Sequence, residues 1–599
     1  MKMKCPSAFR FVRVVAAWII AASCAAALPA ATVTVNSSDA VNRPFVGFGI
    51  NWHPYWDKPS TQPAAALSLT NDEWQTVYSR LNYLNFPVMR VMILPEWVNP
   101  TATSGGNNYN TAMMNALYKV LDYAKAHNIT VAFGFWDARA PFNDDEGSAV
   151  YIQTATQCVD HLVNARDYTN INYFILANEP QHRFANYTQY RTALQNLFTS
   201  FSNAGLLSQM DLMGPDVGND GTSWLGSSAA DLDLQIGSYE WHYYPTAQTG
   251  ISDGSPGPFL LGLMNTITTN DPTATIKPLV LTEMGSFYGV VNDQQQNIGT
   301  VSYAMDSPDL GMQAARNGWS SVAWYLDDQT NDKLWGMWDI KNAPALRPWF
   351  YTWSLLSRNF PEGMTLYRPA QPSNMRVLVG KRVISGSNRW SIALLNRNTT
   401  AQSTTVTIPG ESSATLRQYT FVSSNNVKDG NGFPLPTGTV SGNLGTGVTV
   451  SVPASSMVVL TNLPTTISID DRQVGAGTQQ WSYAGSWGAS YGGSLGEFNT
   501  TNTSSRITND TATIQFVGTQ VKLYGKPGPG GGHAGVRIDG GTETTGVSFY
   551  SATATGNQLI WTSGTLSSGT HTLVVRVTGT KPAASSNCYI PIDRIEIIP

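Results

Sequence analysis

Cysteine is scarce in this 599-residue sequence: there are four, and Cys158 and Cys588 are the two that lie beyond the first thirty residues. They are far apart, and neither lies in a set of cysteines and histidines at metal-ligand spacing. Neither a disulfide framework nor a structural metal is therefore expected. Charge is also sparse, at 13% of residues, roughly half the usual share for soluble domains. Acidic residues outnumber basic ones by 40 to 36, and the excess grows once Lys2, Lys4, Arg10 and Arg13 are set aside. That balance argues against a nucleic-acid partner, whose phosphates require a basic face. After Leu28 no apolar run is long enough for a membrane span, and the run Val14–Leu28 is itself short for one. No Gly-x-Ser-x-Gly or His-Glu-x-x-His is present, which weakens esterase and zinc-protease readings. The glycine-rich stretch from Gly525 to Gly535 lacks the Gly-Lys-Ser/Thr of a phosphate cradle. No cofactor is expected.

The first 31 residues have a basic start, an apolar run and small residues through Ala31, the pattern of a secretory signal peptide. An extracellular or periplasmic location follows, with lipoprotein anchoring through Cys24 as the alternative. The rest is too long for a single hydrophobic core, so two or three domains are expected.

From Phe45 to Phe360 short apolar runs alternate with amphipathic segments eight times, the pattern of strands and helices in an α/β fold. The strands are read as Phe45 to Trp52, Val88 to Leu94, Thr130 to Asp137, Tyr173 to Ala177, Leu212 to Val217, Ser238 to Tyr244, Pro278 to Met284 and Ser321 to Asp327. The clearest helices are Asn71 to Leu84, opened by a Thr70/Glu73 capping box, Thr111 to His127, Val150 to Ala165 and Tyr187 to Ala204. Eight such units fit a (β/α)8 TIM barrel over residues 32–360, with an open doubly wound sheet as the alternative. The period then changes. Arg376 to Ile384, Trp390 to Arg397, Ser403 to Ile408, Ala414 to Val422 and Val448 to Leu460 read as an antiparallel β-sandwich over 361–464. A second all-β domain, read as a jelly roll, spans 465–599.

Two of the barrel strands end in a glutamate. Tyr173-Phe-Ile-Leu-Ala-Asn178-Glu179-Pro180 is one; Pro278-Leu-Val-Leu-Thr282-Glu283-Met284 is the other. A polar residue just past a barrel strand's C-terminal end faces the active-site mouth, and a separation of roughly 100 residues places the two on strands four and seven. Paired carboxylates at one mouth are what glycosidic cleavage needs, one as acid and the other as nucleophile or base.

Asn178-Glu179-Pro180 and Thr282-Glu283 resemble the acid/base and nucleophile motifs of the clan A glycoside hydrolases, retaining (β/α)8 enzymes. The resemblance implies a polysaccharide or oligosaccharide substrate, catalytic roles for Glu179 and Glu283, and a raised pKa for Glu179 so that it starts protonated. It implies that Arg90 steadies the nucleophile, that Asn178 bonds the sugar 2-hydroxyl, and that His242 and Tyr244 match the strand-six His-x-Tyr pair of family 5. Trp324 would carry the sugar at the cleavage site. Trp136 stands where family 5 has a histidine, while the sandwich resembles the companion domain of families 30, 39, 51 and 79. The last domain is similar to jelly-roll modules appended to secreted carbohydrate-active enzymes, and its Trp481 and Trp487 are candidates for either sugar contact or core. Two other readings stay open: a carbohydrate-binding surface protein without turnover, and a transglycosylase using the same pair.

Overall fold

The computed structural model describes residues 31–55, 69–328, 334–340 and 345–599. The leader through Ala30, with Cys5 and Cys24, lies outside the described residues. No helix among the described residues is long and apolar enough to cross a membrane.

The eight expected strands close into a parallel barrel. They are β1 (Phe48–Asn51), β2 (Val88–Ile93), β3 (Thr130–Phe135), β4 (Ile171–Ile175), β5 (Asp211–Val217), β6 (Ile236–Tyr243), β7 (Leu279–Met284) and β8 (Trp319–Ala323). Pairing of β8 with β1 through Ser321 and Phe48 completes the ring, so the open-sheet alternative does not hold. The barrel interior is filled by Val88, Met92, Ala132, Ile175, Met213, Val280 and Val322. Gly134 in β3 is forced by crowding, since a Cβ there would lie 2.7 Å from the Ile175 carbonyl oxygen and 2.8 Å from the Met92 sulfur.

Helix α1 spans Asn71–Leu84 as expected. The Thr70 hydroxyl accepts from the Glu73 amide at 3.2 Å and the Glu73 carboxylate accepts from the Thr70 amide at 2.7 Å, two otherwise orphaned donors satisfied together. The other outer helices are α2 (Ala112–Ala126), α3 (Ala149–Asp160), α4 (Tyr187–Asn203), α5 (Thr222–Asp231), α6 (Pro256–Asn270), α7 (Val301–Arg316) and α8 (Pro348–Asn359). The expected third helix ran to Ala165; its last turn, His161–Ala165, is a wider π-turn.

The sandwich places a seven-stranded sheet against a three-stranded one, around Val33, Val377, Ile392, Val406, Val450 and Leu460. Two readings are corrected here. Residues 31–41, placed with the barrel, belong to the sandwich sheets: Ala31–Thr34 runs parallel to Thr404–Thr407, and Ala40–Val41 pairs with Leu366 and Tyr367. The stretch Val448 to Leu460 is also not one strand. Val448–Val452 lies in the small sheet and Ser456–Thr461 in the large one, because Pro453 lacks the amide needed to continue the ladder and Ser455 turns back at φ 45°.

The last domain is two antiparallel sheets closed over Ile469, Phe516, Leu523, Val575 and Ile595. Trp481 is wholly buried in that core, so of its two candidate roles the packing one applies; Trp487 packs against the same core. The domain is docked along α1. Tyr491 donates to Asp72 at 2.7 Å, and Gln75 donates to the Asn499 carbonyl at 3.1 Å. A second seam ties Gln479 to Asp429 of the sandwich at 2.6 Å.

Candidate active site

At the C-terminal end of the barrel, Arg90 of β2 is completely buried and organises what surrounds it. Its Nη1 donates to Glu283 Oε1 of β7 at 2.7 Å. Its Nη2 donates to Asn178 Oδ1, just past β4, at 2.8 Å and to Asp216 Oδ2 of β5 at 2.7 Å. The planar guanidinium offers donors in a fixed fork, which suits it to holding three strand ends in register. The second Glu283 oxygen accepts from the Tyr244 hydroxyl at 2.9 Å, so both oxygens of this carboxylate have a donor.

His242, near the end of β6, bridges the two glutamates. Its Nδ1 lies 3.1 Å from Glu179 Oε1 and 3.6 Å from Glu283 Oε2, while Nε2 lies 2.9 Å from Asp216 Oδ1. Glu179 sits in a left-handed turn at φ 45° between β4 and the short turn Pro180–His182, a conformation uncommon outside glycine. The Asn178 amide donates to the Trp136 carbonyl at 3.1 Å, which anchors this turn to β3. Of the two acids Glu179 is the open one, with its side chain 35% exposed against 7% for Glu283.

Aromatic rings line the mouth. His53 meets Trp136, Trp324 and Tyr325 edge-on at 5.4, 5.5 and 5.1 Å, and Trp136 lies 5.7 Å from Trp324. Across from them Tyr244 packs at 5.9 Å on both Phe287 and Trp335. All eight residues singled out in the sequence, Glu179, Glu283, Asn178, Arg90, His242, Tyr244, Trp324 and Trp136, are brought to this one end of the barrel.

Asp216 and Glu240 were missed. Asp216 is buried, with Arg90, His242 and the Thr282 hydroxyl, at 3.1 Å, around its carboxylate. Burial alone would push its pKa up, but the charges of Arg90 and His242 hold it well below the usual carboxylate range. Glu240 is buried beside it, and no donor among the described residues reaches either of its oxygens. Burial and the Asp216 charge hold the Glu240 carboxyl well above its usual range. A polar residue in the last turns of an apolar strand was the available signal for both.

The protonation pattern reverses one expectation. Burial pushes Glu179 up, but the His242 hydrogen bond and charge outweigh it, and the net shift is downward. Glu283 is raised, chiefly by burial, against the opposing charges of His242 and Arg90. His242 itself, although burial disfavours its charge, is held well above an ordinary histidine by Glu283 and Asp216. These shifts favour the labile proton on the imidazole over Glu179. Among the described residues no group of three or more His, Cys, Asp or Glu side chains is arranged to hold a metal ion.

No family model and no curated protein matches the sequence. Solved structures do match. The catalytic domain of GH30 xylanase C from Talaromyces cellulolyticus aligns at TM-score 0.52 and 15% identity, over 72% of this chain and 99% of that one. This is the fold of the clan A glycoside hydrolases. A GH30 endoxylanase from Clostridium papyrosolvens C71 aligns at 0.50 and 14%, over 72% and 98%. An α-L-arabinofuranosidase from Thermotoga maritima aligns at 0.50 and 11%, over 72% and 99%. At such identities the likeness is one of fold, and it covers a share of this chain about as long as barrel and sandwich together.

Proposed function

We propose that this protein is a secreted retaining glycoside hydrolase that cleaves O-glycosidic bonds, β-linked ones, in a polysaccharide or oligosaccharide. The observation that carries the reading is the contact of Glu179 and Glu283 with the same His242 nitrogen, at 3.1 and 3.6 Å. A shared neighbour caps the gap between the nearest oxygens at the sum of those distances. That cap admits the roughly 5–5.5 Å of a retaining pair. The xylanases and the arabinofuranosidase that share the fold support a carbohydrate substrate. The leader pattern and low charge support secretion.

Glu283, held by Arg90 and Tyr244, attacks the anomeric carbon. As the C–O bond breaks, the His242 Nδ1 proton passes through Glu179 to the leaving oxygen. The glycosyl ester cancels the Glu283 charge, one of the two charges that keep His242 protonated, so the Glu179–His242 pair stays deprotonated and is available as the base for water. Water loses a proton to that pair as its oxygen attacks the anomeric carbon, the anomeric C–O bond to Glu283 breaks, and the sugar and the Glu283 carboxylate are freed. Asn178, fixed by Arg90, is placed for the sugar 2-hydroxyl, where a hydrogen bond strengthens in the transition state. Trp324 and Trp136 give that sugar an apolar wall.

The decisive experiment uses aryl glycosides and a panel of glycans. Glu283→Ala should lower turnover by several orders of magnitude, and added azide should yield a glycosyl azide of inverted configuration. Near-normal turnover in that variant, or binding of glycans by the wild type without any product, overturns the reading. Product sizing separates hydrolysis from transfer to an acceptor sugar.

A further inference from the structure

Beyond the two glutamates, the loop after β7 carries adjacent exposed aromatic side chains near the mouth. Phe287 is 44% exposed, Tyr288 46%, and Val291 of the same loop 56%. Exposed apolar side chains scattered singly need no explanation, whereas adjacent ones on a held surface beside a cleft mark a binding face.

Their backbone is firmly held. Val290–Val291 and Gln294–Gln295 form a small hairpin joined by Asn292-Asp293, both at positive φ, 50° and 56°, the geometry of a tight two-residue turn. Gln295 is fully buried under it and donates to the carbonyls of Ser286 and Tyr288. Trp335 Nε1 donates to the Asp293 carbonyl at 3.0 Å, and the Phe287 amide donates to the Pro245 carbonyl at 2.9 Å. The rings are thus presented by a braced support and not by a loose loop.

The face is continuous with the reacting centre. The Tyr244 hydroxyl is on Glu283, the Tyr244 ring meets Phe287 at 5.9 Å, and Phe287 meets Trp335 at 6.2 Å. Phe287 is therefore one ring beyond the nucleophile's own partner. Gly285 permits this closeness, since a Cβ there would lie 3.1 Å from Tyr244.

We propose that the Phe287–Tyr288 face is a second sugar site, which binds the apolar face of a pyranose unit adjoining the one whose bond is cleaved. The proposal rests on the glycosidase reading and deepens it, making the substrate a chain rather than a single capped sugar. A pyranose ring has an axial-hydrogen face that matches a flat aromatic in size, and the hydrophobic contact needs no charge on the ligand.

The test is calorimetric titration of xylohexaose, cellohexaose and mannohexaose into Glu179→Ala protein, with and without the added pair Phe287→Ala and Tyr288→Ala. At least one hexaose should bind, and the pair should weaken it about tenfold while its monosaccharide analogue is unaffected. In the catalytically intact background the pair should lower kcat/KM for the hexaose by a similar factor and leave that for an aryl monoglycoside unchanged. Equal affinity with and without the rings, an equal loss on monoglycoside and hexaose, binding of no hexaose at all, or a change of oligomeric state in place of affinity would each overturn the proposal. A wild type that binds hexaoses through these rings but releases no product would instead count against the glycosidase reading alone. Because each ring is nearly half exposed, the pair should lower the melting temperature by no more than about a few degrees, which checks that the fold is intact.

Discussion

Two regions of this molecule bury clusters of carboxyl groups, and they settle the charge in opposite ways. At the barrel mouth Asp216 contacts the Arg90 guanidinium and His242 and is held far below its usual range. In the last domain Asp470, Asp471 and Asp593 are equally buried, but their hydrogen-bond donors are neutral: the Thr501 and Thr503 hydroxyls, the Asn499 amide, and the backbone amides of Arg472, Phe498 and Asn557. There burial wins, pushing Asp593 to about 7 and Asp470 to about 6 and raising Asp471 well above the usual carboxylate range. Burial alone does not decide ionisation: the buried cations beside Asp216 hold it down, while at Glu283, beside the same two, burial still wins.

The comparison breaks most visibly at Arg90. Arg90→Leu should leave Asp216 and Glu283 buried without their cation, costing about 3–5 kcal/mol of stability and two or more orders of magnitude in kcat/KM. Urea unfolding and turnover on the best glycan measure both, and a stable, active variant would mean that Arg90 is not the organising charge.

A narrower change is Asp216→Asn, which keeps the shape and removes one of the charges that hold the proton on His242. Since His242 is raised, its proton is present below its folded pKa and lost as pH rises through it. The variant should therefore lose activity at lower pH, its alkaline limb shifted down by about one unit. Lowered activity with an unmoved profile would restrict Asp216 to packing.

In the last domain the sign of the pH effect is reversed. Asp593 is raised above the ordinary value of about 4, so its stabilising contribution is full below that value and is lost as pH climbs toward about 7. Asp216, being depressed, contributes stability that is lost only as pH falls. Hydrogen exchange of residues 569–577, a core strand of that domain, should quicken beyond the intrinsic rate between pH 4 and 7. In Asp593→Asn that extra dependence should be on the order of 2 kcal/mol smaller. At the bottom of the scale, Tyr491→Phe removes one exposed interdomain hydrogen bond and should cost no more than about 1 kcal/mol in thermal unfolding, with turnover unchanged.

Much of the barrel was readable because parallel strands covered on both faces are nearly continuous apolar runs, and a glutamate ending such a run stands out. Glu179 and Glu283 stand out for that reason. Asp216 does not, because its strand carries on to Val217 and the pairing with β6 slips between Gly214 and Val217. With Asp216 itself at φ 59°, the residue is turned by an irregularity that has no periodic signature. The proton's position was misjudged for a related reason: mutual repulsion of two glutamates can be weighed from sequence, but the placement of His242 against both requires three strands to be in register. The sandwich membership of residues 31–41 escaped because a strand's partner hundreds of residues away leaves no local trace.

That distant pairing has a consequence for how the protein is made. Ala31–Thr34 leaves the ribosome roughly 370 residues ahead of its partner strand, so its edge position must stay vacant while the barrel is completed. Maturation is constrained as well. A processing enzyme cutting a few residues past Ala31 would remove the strip that covers the backbone of residues 404–407, leaving an open edge to which another copy could add a strand. The site of cleavage would then govern whether the chain stays single or clumps, far from the barrel mouth.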